Sequence, residues 1–279
     1  VNSGELSSDA LLAYSSLQQK YSVYQRVVQS NINYYLKENP GAWLVYETGY
    51  KKLFGFTGTG DVQDTLLAGL LCALCFSGLF AMERKGGMDE ILACTPLGRK
   101  YTVKAKLRQS TAVAAVISFG TVLPHLWQVL RDYGLPSLLG PAMSISDLQA
   151  VPKFITLSDL LIFWLICRFA ACLCMSRITL WLGQKLVNLL TALFISAVTY
   201  CLPALLSLSG MKNGIEWLGF YPLFHAAALW QNQGYTADGK SYNAMWIPIF
   251  LVCAAFFLAW AIGQALIDDY DMIGVPDEV

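Results

Sequence analysis

The chain reads as an all-α polytopic membrane protein with five transmembrane helices, a short cytoplasmic helix and an outer re-entrant segment. Three observations carry that reading. Of its 279 residues 56% are hydrophobic and only 14% charged, with a mean hydropathy of +0.48, a balance that favours membrane over soluble folds. Five apolar runs, at about 65–82, 111–130, 157–176, 186–208 and 246–267, approach or exceed the roughly 20 helical residues that cross a bilayer. Lysine and arginine concentrate in alternate connections between those runs, as the positive-inside rule requires. Nineteen basic and nineteen acidic side chains cancel, so no global field suggests a nucleic-acid partner.

Residues 1–64 precede the first run. Leu11, Tyr14, Leu17, Tyr21, Tyr24, Val28, Ile32 and Tyr35 recur at steps of three and four, so one amphipathic helix over about 8–37 is expected. Ser7, Ser8 and Asp9 suit its start, and Asn39-Pro40-Gly41 its end. The aromatic stripe is either a packing face, the ordinary role of such a stripe, or a ligand surface. FGFTGTGDVQD, 54–64, reads as a glycine-rich link into the membrane.

Nine lysines and arginines lie between the first two runs or between the third and fourth, among them Arg84, Arg99, Lys106 and Arg177, against four in the other two connections. The first set is therefore expected in the cytoplasm. That places 1–64 outside and the acidic tail 268–279 inside. No apolar run before residue 65 could carry the amino end across, so a further span upstream is expected, making six in the parent protein. Pro124 and Pro203 fall within runs, where transmembrane helices tolerate them.

Between the first two runs, Gly86-Gly87 break the span, and a short helix over 88–94 ends at Thr95-Pro96 before a basic patch. Met88, Ile91 and Leu92 share one face of that helix, which suits the membrane surface or another protein. The order Glu83, Gly87, Glu90-Ile91-Leu92, Thr95-Pro96, Arg99 and Lys106 resembles the cytoplasmic loop of ABC-2 type exporter permeases, with its pattern of E, G-x-x-E-x-L, T-P-x-x-R and K. In that family the loop carries a coupling helix that contacts a separate ATP-hydrolysing subunit. The resemblance implies that residues 87–95 are that helix, and that Glu83, Arg84, Gly87, Met88, Glu90, Ile91, Leu92, Thr95, Pro96 and Arg99 form the partner contact.

The same resemblance implies a dimer of permeases, homomeric or heteromeric, on ATPase subunits that hold the ATP and magnesium. Export would follow alternating access in the cell membrane, with a bacterial plasma membrane as the setting. The family does not set the cargo; a path so poor in polar residues favours an apolar one. GIEWLGFYPLFHAAALW, 214–230, is apolar yet too short to cross, so it reads as a re-entrant or interfacial segment. It resembles the outer re-entrant helices of such permeases, with an amphipathic lid that shields the bundle as the alternative. Two alternatives stand beside export. One is a permease-like regulator coupling an ATPase to outer-face signalling or cell-wall enzymes. The other is a secondary transporter, whose internal repeats and intramembrane acids the sequence lacks.

Arg168 sits near the middle of the third run, at a cost of at least about 2.5 kcal/mol. It lines an anionic substrate path, pairs with an acid such as Asp159 or one on another helix, or snorkels to the cytoplasmic headgroups. His125 and His225 lack metal-ligand company, and the cysteines of CALC, 72–75, lie within a span, where they read as small hydrophobes. No nucleophile elbow or zinc-protease motif occurs, so no catalytic site is expected. GYTADGKS, 234–241, fits the phosphate-loop pattern G-x-x-x-x-G-K-[ST]. That pattern works only between a strand and a helix; here it falls on the outer side after an apolar segment, and Asp238-Gly239 suits a tight turn.

Overall fold

Every apolar run becomes one long helix, because a backbone inside hydrocarbon must satisfy its N–H and C=O groups within its own segment. The computed structural model describes residues 14–15, 17–18, 20–22, 24–25, 28, 45, 47–56, 60–88, 91, 98–135, 137–148, 151, 154–186, 188–208, 220–230, 236–237, 240–241 and 246–272. The chain divides into two units, Val1–Val45 and Tyr46–Val279.

In the first unit the described residues from 14 to 28 are helical. Tyr14, Leu17, Tyr21 and Tyr24 are all 61–65% exposed. Three- and four-residue spacing correctly placed these four exposed side chains on a helix. Leu11, Ile32 and Tyr35 lie outside the described residues.

The second unit contains α1 (Glu47–Leu53), α2 (Gly60–Lys85), α3 (Gly98–Tyr133), α4 (Leu157–Lys185), α5 (Leu189–Leu208), α6 (Tyr221–Phe224) and α7 (Trp246–Met272). Among these, α2, α3, α4, α5 and α7 are long and apolar enough to cross a membrane. The protein is therefore an all-α polytopic membrane protein. Pro124 and Pro203 are accommodated inside α3 and α5.

Helices α2 and α4 form the centre, with half of each apolar window buried, against 28% for α5 and α7. Burial on α4 recurs at Leu160, Trp164, Cys167, Arg168, Ala171, Met175 and Thr179, the helical repeat of an inward face. Small residues set the spacing, since lipid offers no hydrophobic drive between helices and close packing must hold them. A Cβ added at Gly69 of α2 would stand 2.9 Å from Tyr200 Cβ of α5, and one at Gly183 of α4 would stand 3.2 Å from the Ser77 carbonyl of α2. Beside this seam the hydroxyls of Thr179 and Tyr200 lie 2.8 Å apart and both reach the Met175 carbonyl. Phe194, Phe250, Phe257 and Trp260 face outward, as lipid-facing side chains do.

Two boundaries differ from the expectation. Helix α3 begins at Gly98, so the residues read as a basic patch stand on its first turns; a helix need not stop where the bilayer does. Helix α2 begins at Gly60, and Phe54 ahead of it is fully buried against Trp164 with ring centroids 6.3 Å apart. The stretch read as a link is in part core. Helix α1 is fastened beside it by Lys51, which pairs with Glu47 at 2.9 Å and Asp147 at 3.0 Å.

Helix α6 runs into a 3-10 turn, Ala226–Trp230, and Tyr221 to Phe224 are buried. The segment 209–219 before it lies outside the described residues. Strands β1 (Thr236–Ala237) and β2 (Lys240–Ser241) pair antiparallel, Thr236 with Ser241 and Ala237 with Lys240.

Candidate functional site

The loop between α2 and α3 is built on an ion pair. Glu83 occupies the last turn of α2, and Lys106 lies two turns into α3. The Lys106 ammonium donates to Glu83 Oε2 and to the Leu79 carbonyl at 3.0 Å, and sits 3.8 Å from the centre of the Phe80 ring. Lys106 is buried and Glu83 half-buried, so this charge-assisted contact is shielded from the solvent that weakens surface pairs. It fastens both ends of the loop to one base.

From that base the chain turns at Gly86-Gly87. Gly87 adopts φ +67, with nothing within 4 Å of the space a Cβ would take. Its role is conformational: a side chain there strains the backbone. Met88 and Ile91 follow, 51% and 65% exposed. Three residues apart on a helical turn, they share a face, and neither belongs to the core. Arg84 and Arg99 are backbone positions at the end of α2 and the start of α3. Glu90, Leu92, Thr95 and Pro96 lie outside the described residues. The structure thus brings together Glu83 and Lys106, the first and last residues of the sequence pattern.

A second charged centre lies within the bundle. The Arg168 guanidinium is fully buried, 4.4 Å from the Trp164 ring centre and 5.3 Å from that of Phe224 in α6. Its Nη2 donates to Asp64 Oδ2 on α2. Among the described residues, Nε and Nη1, together with Trp164 Nε1, have no hydrogen-bond partner. Arginine stacked on aromatic faces and paired with carboxylate keeps its charge at reduced cost. The centre ties α2, α4 and α6 to one another.

Two expectations for Arg168 are corrected. Asp159 is not its partner: Thr156 N donates to Asp159 Oδ2 at 3.0 Å and Asp159 N to Thr156 Oγ1 at 3.2 Å, a capping box that commits the carboxylate to the start of its own helix. Nor does Arg168 snorkel toward the basic loop, because its guanidinium reaches the opening turns of α2. The T-x-x-D signature at 156–159 signalled the first correction; nothing local signalled Asp64.

No family model, curated protein or solved structure matches the chain. Its chemistry is therefore read from its own residues. His125 Nε2 lies 3.3 Å from the Lys52 carbonyl, and His225 stacks on Tyr221 with ring centroids 5.8 Å apart. The phosphate-loop pattern 234–241 contains an antiparallel pair, with Lys240 and Ser241 on a strand instead of opening a helix. A phosphate loop needs successive N–H groups curling into a helix N-terminus, and this pairing uses the backbone otherwise.

Proposed function

We propose that the chain is the membrane-spanning permease subunit of an ABC exporter, moving its substrate outward while a separate subunit hydrolyses ATP. The carrying observation is the contact between Glu83 and Lys106. These residues open and close the loop pattern that resembles the exporter permeases, and they meet at the loop's base. A loop whose two ends share one ion pair passes a push on Met88 and Ile91 to α2 and α3 as a unit, the rigid-body coupling that alternating access requires. The two exposed apolar side chains supply a docking face for a helix groove on the partner. The resident chemistry is mechanical, with ATP and magnesium in the ATPase and a second permease completing the assembly.

The test is purification of the chain from its native membrane together with any ATPase subunit that accompanies it, followed by co-expression of the pair. Ile91→Asp is expected to remove the ATPase from the purified complex, because it places a charge in an apolar contact, whereas Lys106→Met leaves the subunits together with ATP turnover no longer stimulated by substrate. Purification of the native chain with no ATPase sinks the reading. A second reading, a permease-like regulator, is favoured by one observation: Tyr14, Leu17, Tyr21 and Tyr24 present an exposed aromatic face of the composition common at protein interfaces. Capture of an outer-face protein that is lost on Tyr21→Ser, in a chain that moves no cargo, would decide for it.

A further inference from the structure

We propose that the seam between α3 and α4 holds one anionic phospholipid, its acyl chain in an apolar groove and its phosphate on Arg177 and Arg108. The proposal needs only the membrane-spanning fold and stands apart from the exporter reading. The groove has a volume of about 390 Å³ and is lined by Ala115 and Phe119 of α3 with Ile162, Leu165, Ile166 and Phe169 of α4. All six side chains are hydrocarbon. Phe119, Ile162 and Ile166 are 42–56% exposed, so the groove opens away from the core, toward lipid.

A cationic cradle stands at its foot. Arg177 lies eight residues past Phe169 and Arg108 seven before Ala115, about 12 and 10 Å along the two antiparallel helices at 1.5 Å per residue. Seven residues are nearly two full turns, so Arg108 shares the face of Ala115. Arg177 spans the seam, donating from Nη1 to Ser110 Oγ at 2.9 Å and from Nη2 to Thr111 Oγ1 at 2.7 Å. Both hydroxyls spend their own hydrogens on the Leu107 carbonyl. Arg177 therefore has neutral partners only, and among the described residues no carboxylate comes within ion-pair distance of it. Arg108 is exposed, three residues before Thr111 and so one turn from it on α3.

A charge with no carboxylate partner among the described residues, at the edge of a bilayer, calls for an anion. Basic pockets between transmembrane helices on the cytoplasmic side take anionic headgroups, and this is the end of the bundle where lysine and arginine gather. The offset from cation to groove, about 10–12 Å, lies within the roughly 15 Å of one hydrocarbon leaflet, which suits a phosphate joined to a chain. A second copy of this protein would bring the same two cations to the seam, and like charges oppose that contact.

The purified full chain in detergent is to be titrated with palmitoyl-oleoyl phosphatidylglycerol and with the phosphatidylcholine of the same chains, counting bound lipid by native mass spectrometry. Phosphatidylglycerol is expected to bind about tenfold tighter, the scale of one charge-assisted hydrogen bond. Arg108→Gln and Arg177→Gln each remove most of that preference, while Ile166→Trp, filling the groove from its lipid side, weakens both lipids severalfold. Equal binding of the two lipids by the native chain overturns the proposal, as does an unchanged preference in both arginine variants. Displacement of phosphatidylglycerol by an equal concentration of glycerol phosphate also overturns it, since the site would then need no chain. Should Arg177→Gln fail to fold, the exposed Arg108→Gln and the native lipid ratio still decide.

Discussion

Arg168 shows how one buried charge organises its neighbours. Its pairing with Asp64 and its place between Trp164 and Phe224 offset a burial cost that no single contact would cover. Removing one partner strands the other, so Asp64→Leu alone is expected to destabilise the chain by about 3–5 kcal/mol, and Arg168→Leu by less, because Asp64 retains some exposure and can be hydrated. The double variant Asp64→Leu with Arg168→Leu recovers most of the loss. Thermal melts in detergent over this cycle check it, and additive losses would exclude the coupling. The sequence exposed the cost of Arg168 but not its partner, since Asp64 lies 104 residues away and the nearer Asp159 is claimed by its helix cap. At α1, Lys51 and Tyr50 set a pH limit. Burial lowers the Lys51 pKa, but hydrogen bonds and charge from Glu47 and Asp147 outweigh it and raise the net value, while burial pushes Tyr50 up to about 12. Both folded values exceed their unfolded ones, near 10, so the stability they contribute is complete below pH 10 and fades as pH rises toward 12. Lys51→Met should flatten part of that alkaline loss, read from melting temperature against pH.

Between elements, glycine decides how closely helices approach. At Gly69 an added methyl meets Tyr200 Cβ at 2.9 Å, an atom too near its backbone to swing away, whereas Gly120 and Gly263 have open space. Gly69→Ala is expected to cost about 1–3 kcal/mol by overpacking. Gly120→Ala and Gly263→Ala, in the same kind of helix, should be neutral or slightly stabilising, because alanine restricts the unfolded chain. Melting temperatures of the three variants separate contact from propensity; an equal response at all three positions would refute the spacing role of Gly69. This seam was illegible beforehand. Periodicity reports which face of a helix is apolar, and in a lipid-bathed helix nearly every face is. The loop base was partly legible, since Glu83 and Lys106 both stood in the sequence pattern, yet their contact depends on how far α3 continues below the apolar run. The exposed stripe from Tyr14 to Tyr24 carried the opposite lesson: spacing located the helix but said nothing about what covers it.

For the molecule as a whole, the spans were readable because hydropathy belongs to a segment and needs no partner, and the five runs became the five long helices. Their arrangement around α2 and α4 was not readable, because it depends on contacts between helices that are not neighbours in sequence, such as α2 with α5. Orientation follows from charge alone and makes a global prediction. Lysine and arginine crowd the end of the bundle that holds Glu83, Lys106 and the loop at Met88, while Leu139, 75% exposed, lies in the connection from α3 to α4 at the opposite end. A Met88→Cys chain and a Leu139→Cys chain should therefore differ in intact cells. The impermeant maleimide labels Leu139→Cys from outside and reaches Met88→Cys only after lysis. Both chains also carry Cys94→Ser, because the native Cys94 lies six residues past Met88 in sequence. The exposed Cys75 and Cys253 stand on membrane-spanning helices, where a charged, impermeant reagent does not enter. Labelling of Met88→Cys in intact cells would invert the protein in its membrane. The Met88 and Ile91 face would then be out of reach of any cytoplasmic ATPase, and the exporter reading would fall with it.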